Sequence, residues 1–278
     1  MSPTPGACRS CNSTALIPLL KRAPAACDVL YCPACSLVQS TSIHTREPEA
    51  RESVLWSCSD SMLRHAAVLA RQVIQARRLG PDSLVIEAGC NDGWLLQYYR
   101  EAGVPVLGLE TDPTAARLAR QRHGIPTREA TLSRQLADRL VSQGLQADVL
   151  HAHCSLHQAT DHNSFAGGIR RLLKPNGLAV IETPYVKDVL DAGALESLTT
   201  QQQSCVSLTA LSHSFTGLGL LIVEVGRVPV HGGLLQVLVT PAHPEAWPGE
   251  SVIALLLAEE QWGVRSLESY AAVARKAA

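Results

Sequence analysis

The chain has 278 residues, enough for one or two domains with a sizeable core, and 46% of them are hydrophobic. Its 24 Lys and Arg balance 25 Asp and Glu, and aromatic residues make up only 4%, so neither charge nor base stacking favours nucleic acid as a partner. The N-terminus has no basic stretch followed by an apolar run, and the longest apolar run, 218–230, carries Glu224 and Arg227. We therefore expect no signal peptide, no membrane partner and a cytoplasmic protein.

Two Cys-x-x-Cys pairs stand near the N-terminus, Cys8 with Cys11 and Cys32 with Cys35. Each pair directs two thiolates to one point, and two such pairs complete a tetrahedral site of four sulfurs. The spacing predicts a zinc ribbon with a structural Zn2+. A redox pair and chance surface cysteines are the alternatives, although a redox pair needs only one Cys-x-x-Cys beside a βαβ unit. The polar residues 41–60 that follow indicate a linker or a substrate-side flap.

A helix is predicted over 61–74, where apolar residues recur every three and four positions before Gly80 and Pro81. Residues 84–96 then have the pattern of a buried strand, a glycine turn and the start of a helix. Glycines in such a turn let backbone amides approach a ligand, and the helix adds its positive N-terminal end. A second strand over 104–111 ends at Glu110, where a carboxylate can accept both ribose hydroxyls of an adenosine.

The glycine turn distinguishes between two classes of cofactor. It has the order Gly89-x-Asn91-x-Gly93, so it lacks the middle glycine of a dinucleotide motif, and the bulky Trp94 follows. This argues against NAD and favours S-adenosylmethionine (SAM), which has no phosphates and needs polar groups for its amino-acid part. Trp94 is expected to pack against the sheet, or alternatively to line the adenine pocket. A nucleotide-free α/β domain is the remaining alternative. The predicted cofactor-binding residues are Glu87, Gly89, Asn91, Asp92, Gly93, Glu110 and His151.

Strands and helices continue to alternate along the chain. The predicted elements are a helix from Asp112 to Gly124, a strand near Thr127, a helix over 132–143, a strand over 147–153, a helix over 163–173, a turn over 174–177, a strand over 178–183, a helix over 207–216, strands over 220–230 and 234–240, and a last amphipathic segment capped by Ser251. This order predicts an α/β fold, a class I SAM methyltransferase Rossmann-like sheet with a small N-terminal zinc-ribbon module. The predicted domains are a zinc-binding module and linker (1–60), the SAM-binding domain (61–243) and a C-terminal helical segment (244–278).

Several histidines could act as a base, because a methyl acceptor should lie over the carboxyl ends of the central strands. The candidate catalytic residues are His153, at the tip of the strand over 147–153, His157 in the next loop, and His231. His151 lies on the same strand face as His153. The alternatives are that His151 is a core histidine and that His157 lies in a surface loop. A catalytic metal site of histidines is not favoured, because their spacing is not diagnostic.

Several motifs of the chain together resemble those of a known family. They are the phrase Cys35-Ser-Leu-Val-Gln39, Glu87-x-Gly-x-Asn-Asp-Gly93, Leu173-Lys-Pro-x-Gly177, Glu182-x-Pro184, Ser207-Leu208 and His231-Gly-Gly233. With the four cysteines, they resemble the SAM-dependent sugar C-methyltransferases that act on nucleotide-linked keto-deoxysugars in antibiotic biosynthesis. The resemblance implies an N-terminal zinc module, a central SAM domain and methyl transfer to a carbon next to a ketone.

The chain departs from this family in the part that would handle the acceptor. The family has a Tyr-His-Glu-His stretch shortly before Ser207, and its histidine serves as the base. The same positions read Thr199-Thr-Gln-Gln202 here, and none of these side chains titrates near neutral pH. The family's Asn and His after its fourth strand become His153 or Cys154, and Gln158. Its third domain would begin about where this chain ends.

Three functions are compatible with this pattern. The first is a SAM-dependent methyltransferase that tailors a natural-product intermediate, with an altered small-molecule acceptor. The second is the family's own reaction on a nucleotide sugar, with His153 or His231 as the replacement base. The third is a catalytically silent SAM-binding homologue that acts as a partner or scaffold protein. The pattern leaves the oligomeric state open.

Overall fold

A computed structural model describes residues 6–20, 28–41, 55–195, 198, 203–230 and 233–274. The chain forms two compact units. The first contains residues 1–45, 154–166 and 181–278, and the second contains residues 46–153 and 167–180. The predicted boundaries after residues 60 and 243 stay predictions.

The described residues form short strands and helices in alternation. The strands are β1 Ile17–Leu20, β2 Val29–Tyr31, β3 Val38–Ser40, β4 Val85–Ala88, β5 Val106–Leu109, β6 Thr127–Arg128, β7 Ala147–His153, β8 Leu173–Thr183, β9 Ser204–Cys205, β10 Leu220–Val228 and β11 Leu234–Pro241. The α-helices are α1 Asp60–Arg77, α2 Leu96–Glu101, α3 Pro113–His123, α4 Arg134–Ser142, α5 His162–Leu172, α6 Val186–Asp191, α7 Leu208–Thr216, α8 Glu250–Trp262 and α9 Leu267–Ala274.

The second unit contains the strand order β8-β7-β4-β5-β6, in which β7, β4, β5 and β6 run parallel. Strand β4 pairs in parallel with β5 and with β7, and Val85 is the register partner of both Val106 and Val149. All four residues of β4 are buried, as the short apolar run predicts for a strand covered on both faces. Because β4, β5 and β7 are parallel, their carboxyl ends meet at one edge of the sheet. The residues that follow these strands therefore lie close together.

Local signals set the ends of α3. Asp112 Oδ1 accepts hydrogen bonds from Thr114 N (2.7 Å) and Ala115 N (3.1 Å), and Pro113 occupies the first turn. Gly124 ends the helix with φ of +59°, a conformation that glycine adopts without steric cost. The predicted start and end of this helix are confirmed, and the start fixes where the chain leaves β5.

The first unit holds an antiparallel sheet with the order β1-β2-β3-β9. Its core includes Tyr31 and Tyr270, whose ring centroids lie 4.7 Å apart. Strand β8 is shared between the units, and its residues 181–183 belong to this one. Here the strand order is β10-β11-β8, with β10 and β11 antiparallel. The predicted antiparallel pair near the end of the chain is thus confirmed.

Two local predictions are wrong. Residues 174–177 do not form a turn, because they are the first part of β8; Pro175 is exposed there, where its missing N–H costs no buried hydrogen bond. Ser251 does not cap α8, since the cap is Gly249 and the Ser251 hydroxyl instead accepts a hydrogen bond from Val225 N at 3.1 Å.

The lengths and the hydropathy of the helices bear on whether the chain could span a membrane. Within the part of the chain that the structure describes, no helix is both long enough and apolar enough to cross a bilayer.

Candidate functional site

The glycine turn after β4 has an unusual backbone. Gly89 and Gly93 have φ of +78° and +87°, and Asn91 has φ of +50°. Gly89 N donates to Leu109 O at 2.8 Å, which ties the turn to the end of β5. A Cβ on Gly93 would lie 2.5 Å from Ile125 Cδ1. The left-handed backbone therefore favours glycine at position 93, and a side chain there would also displace the end of Ile125.

Glu110 stands directly after β5 and is only 6% exposed. Its Oε2 accepts a hydrogen bond from Asn91 N (2.9 Å), and its Oε1 accepts one from Asp112 N (2.8 Å). The Thr111 hydroxyl also donates to Oε1, at 3.4 Å. Glu110 thus joins the glycine turn to the start of α3, and its contact with a ribose stays a prediction.

The segment before α1 also contacts the glycine turn. Trp56 N donates to Asn91 Oδ1 at 3.1 Å, and the Ser57 hydroxyl donates to Asp92 Oδ2. Sequence reasoning missed both residues, because they lie within the polar stretch 41–60. A lone tryptophan in that polar stretch was the only signal. Residues 42–54 themselves lie outside the described residues.

Two buried polar atoms in and beside the turn have no hydrogen-bond partner in the part of the chain that the structure describes. Asp92 and Trp94 are both 0% exposed. Among the described residues, Asp92 Oδ1 and Trp94 Nε1 make no hydrogen bond. A buried polar group costs free energy unless it is hydrogen-bonded. A ligand that brings both a donor and an acceptor to this turn would remove that cost. Trp94 is buried within the second unit, as expected of a residue that packs against the sheet.

His151 lies inside the second unit, where its Nε2 is 2.7 Å from the hydroxyl of Tyr99. Glu87 is its register partner on β4 and is 0% exposed. Burial raises the pKa of Tyr99, and the negative charge of Glu87 raises it further. Tyr99 therefore stays protonated and can donate to the histidine. This geometry fits the alternative of a satisfied core histidine, and the cofactor role of His151 stays a prediction.

His153 is the last residue of β7 and is 3% exposed. Its ring centroid lies 4.7 Å from that of Trp56, 5.0 Å from that of Trp94 and 6.2 Å from that of His65. The two indole rings meet edge to face at 5.2 Å, a preferred geometry for aromatic pairs. We call Trp56, Trp94, His65 and His153 the aromatic cluster. It brings a titratable group to the edge of the sheet that carries the glycine turn.

His157 belongs to the first unit and lies in the single turn Leu156–Gln158. It is 4% exposed, so the surface-loop alternative is wrong. Its backbone oxygen accepts hydrogen bonds from Gln203 N (3.2 Å) and the Ser204 hydroxyl (3.3 Å). The nearby His162 is also buried. Burial, together with the positive charges of Arg9 and His157, lowers the pKa of His162 to about 3. His162 is therefore neutral at physiological pH.

Two parts of the predicted site lie outside the described residues. They are His231, the third candidate base, and the segment 199–202 that replaces the family's histidine motif. The catalytic roles of His153, His157 and His231 stay predictions.

The four N-terminal cysteines come together in the first unit. The Sγ atoms of Cys8, Cys11, Cys32 and Cys35 all lie within 4.8 Å of one another. Asn12 N donates to Cys8 O (3.0 Å) and Ser36 N donates to Cys32 O (2.8 Å), and both donors have left-handed backbones, with φ of 59° and 62°. The two turns therefore have the same geometry. A hydrogen bond from Cys35 lowers the pKa of Cys8 to about 5. The cluster is compatible with a zinc ion held by four thiolates.

Comparison with solved structures identifies the fold. The magnesium protoporphyrin IX methyltransferase ChlM from Synechocystis PCC 6803 with bound SAM is 13% identical, with a TM-score of 0.51, and the match covers 71% of this chain and 89% of that chain. A SAM-dependent methyltransferase from Anabaena variabilis is 14% identical, with a TM-score of 0.53 and coverages of 68% and 88%. The chain has the Rossmann-like α/β fold of class I SAM-dependent methyltransferases.

Sequence comparison supports the same class. Residues 86–179, about a third of the chain, match the family model described as a methyltransferase domain. Within this class the chain resembles the C-methyltransferase NovU of Streptomyces niveus, with 28% identity over 247 residues. The match covers 87% of this chain and 58% of that protein. The chain therefore spans less than two thirds of the length of this relative.

Proposed function

We propose that the chain binds SAM at the carboxyl edge of β4, β5 and β7 and methylates a small-molecule intermediate of natural-product biosynthesis. One observation carries the proposal. The glycine turn, the carboxylate of Glu110 and the imidazole of His153 stand at the ends of three adjoining parallel strands. In α/β sheets of this kind, ligands bind at that edge.

The residues of the turn fit the chemistry of SAM. Its methionine end carries an ammonium and a carboxylate, and the buried Asp92 Oδ1 and Trp94 Nε1 are an acceptor and a donor that lack partners in the described chain. Glu110 would accept hydrogen bonds from the ribose hydroxyls, because its carboxylate stands at the end of the second parallel strand beside the glycine turn. SAM has no phosphate groups, so its turn does not need the middle glycine of a dinucleotide motif, and Asn91 occupies that position here.

SAM supplies a methyl group on a positively charged sulfur, which is already a strong electrophile. The chain's own residues have two tasks: to hold the acceptor in line and to take its proton. In the proposed reaction, the acceptor atom forms the new bond to the methyl carbon and its proton passes to His153. The electron pair of the broken bond stays on the sulfur. The indole rings around His153 exclude water from this point.

We further propose that Cys8, Cys11, Cys32 and Cys35 bind one structural zinc ion. Two turns of the same geometry place their Sγ atoms within 4.8 Å of one another. Four protein ligands close the coordination shell, so this ion would stabilise the N-terminal strands and take no part in methyl transfer.

A second acceptor class has its own support. The similarity to a protein named as a C-methyltransferase favours transfer to carbon, and the sequence motifs favour a nucleotide-linked keto-deoxysugar. Against this acceptor, the family's histidine motif is absent from residues 199–202. On this second proposal, His153 or His231 would take the proton from the carbon next to the ketone.

The acceptor classes can be separated by mass spectrometry. The full chain is incubated with SAM and either non-nucleotide metabolites or nucleotide-linked keto-deoxysugars, and products are examined for one added methyl group. Methylated non-nucleotide products would support the first acceptor class, and methylated nucleotide sugars alone would support the second. SAM binding without any methylated product would favour a silent homologue.

A further inference from the structure

We propose that Trp56 and Trp94 make the cofactor site specific for the charged methyl donor. Their indole rings would border the sulfonium end of the site, so that SAM binds more tightly than its product S-adenosylhomocysteine, whose sulfur is neutral. The inference rests on the proposed SAM site and on the proposed role of His153.

Both tryptophans are attached to the glycine turn. Trp94 follows Gly93 directly, and Trp56 N donates to Asn91 Oδ1 at 3.1 Å. The next residue, Ser57, donates to Asp92. The segment before α1 is therefore fixed to the predicted cofactor-binding residues by two hydrogen bonds. By contrast, Trp247 is 77% exposed and lies in the first unit.

Both rings lie beside the proposed base. An acceptor that gives its proton to His153 lies within hydrogen-bond reach of that imidazole. The methyl carbon must in turn come within about 3–3.5 Å of the acceptor atom. The centroids of Trp56 and Trp94 lie 4.7 and 5.0 Å from the His153 ring. A cation is attracted to the face of an indole within about 6 Å of its centroid, and a sulfonium that reacts beside His153 would come within this range.

The unpartnered indole N–H of Trp94 gives independent evidence for a ligand beside this ring. The side chain is 0% exposed, and its Nε1 has no hydrogen-bond partner among the described residues. A core tryptophan usually finds a partner for this group. The carboxylate at the methionine end of the cofactor would accept such a bond. Trp94 would then contribute its N–H to both SAM and the product, and its ring face to SAM alone.

Indole rings beside the sulfonium would also favour release of the product after methyl transfer. A carboxylate beside the sulfonium would bind the donor by a strong ion pair in a buried site. Indole faces attract the cation more weakly. That attraction disappears when the methyl group leaves and the sulfur becomes neutral. The arrangement therefore favours binding of the donor and release of the product.

Calorimetric titration of the full chain with SAM and with S-adenosylhomocysteine tests the proposal. Wild type is expected to bind SAM about tenfold more tightly than the product, the range of a partly desolvated cation–π contact. Trp56→Leu removes the π face but keeps an apolar side chain. This variant should bind SAM about tenfold more weakly than wild type does and the product less than twofold more weakly, so that most of the preference for SAM is lost. Trp56→Phe should retain part of the preference, and the exposed Trp247→Leu should match wild type.

Trp94→Phe removes the indole N–H. It is expected to weaken both ligands, because both carry the carboxylate, and to weaken SAM somewhat more, because a phenyl face attracts a cation less strongly than an indole face does. The proposal would be overturned if wild type bound SAM and S-adenosylhomocysteine with equal affinity. It would also be overturned if Trp56→Leu weakened the binding of both ligands by the same factor. If wild type binds neither ligand, the proposed function itself fails, which is a different result.

Discussion

Glu110→Gln tests the predicted ribose contact with the smallest change of shape. The carboxylate accepts hydrogen bonds from Asn91 N and Asp112 N at 2.9 and 2.8 Å, and it is 6% exposed. Hydrogen bonds to a charged group contribute about 1.5–3 kcal/mol, against about 0.5–1.5 kcal/mol for neutral pairs. Loss of the charge should therefore weaken SAM by about 1.5 kcal/mol, which is roughly tenfold in Kd.

Glu110→Ala should weaken SAM further, because it removes both oxygens. It also leaves two backbone N–H groups without their acceptor, so the free energy of unfolding should fall by about 2 kcal/mol. Calorimetry with SAM and chemical denaturation measure the two effects separately. Glu129→Gln is the matched control, since its side chain is 45% exposed and pairs with Arg120 at the surface. An unchanged SAM affinity in Glu110→Gln would refute the ribose assignment.

Three further predictions concern the other sites. Elemental analysis should find about one zinc per chain, and Cys35→Ser should lose it while Cys58→Ser, which alters an exposed cysteine, keeps it; a folded wild type without metal would refute the site. Burial lowers the pKa of His162 in the folded chain to about 3, from the ordinary value of 6.5. As the pH falls below 6.5, the unfolded chain therefore binds a proton at His162 before the folded chain does. Wild type should therefore lose up to about 1.4 kcal/mol of stability per pH unit between pH 6.5 and 3, and the slope in denaturation experiments should be smaller in His162→Gln; identical slopes would contradict this. Once an acceptor is found, His153→Ala should abolish turnover and keep SAM binding, whereas the exposed His243→Ala should retain both; normal turnover in His153→Ala would remove it as the base.

The order of the central strands could be predicted because their signals are local. β7 spans Ala147–His153, as its apolar alternation predicts, and α3 begins after Asp112 and ends at Gly124. The prediction of a turn at 174–177 failed for a physical reason. Proline and glycine mark turns only where the backbone must reverse, and an exposed strand end tolerates both.

Contacts between distant parts of the chain could not be predicted. Strand β9, with only two residues, pairs with Val38 and Gln39 across more than half of the chain. The contacts of Trp56 and Ser57 with the glycine turn arise in the same way. Neither segment has a periodic pattern, so its position depends on tertiary packing. The motif residues 87–93 were found because their chemistry is concentrated in one turn.

The central claim is that the glycine turn and Glu110 form a working SAM site. The most direct measurement is calorimetric titration of the purified full chain with SAM. We predict saturable binding at one site per chain with a micromolar Kd, roughly −8 kcal/mol of binding free energy. The absence of any heat of binding, confirmed by equilibrium dialysis with labelled SAM, would contradict it and leave the turn as a structural remnant of the fold.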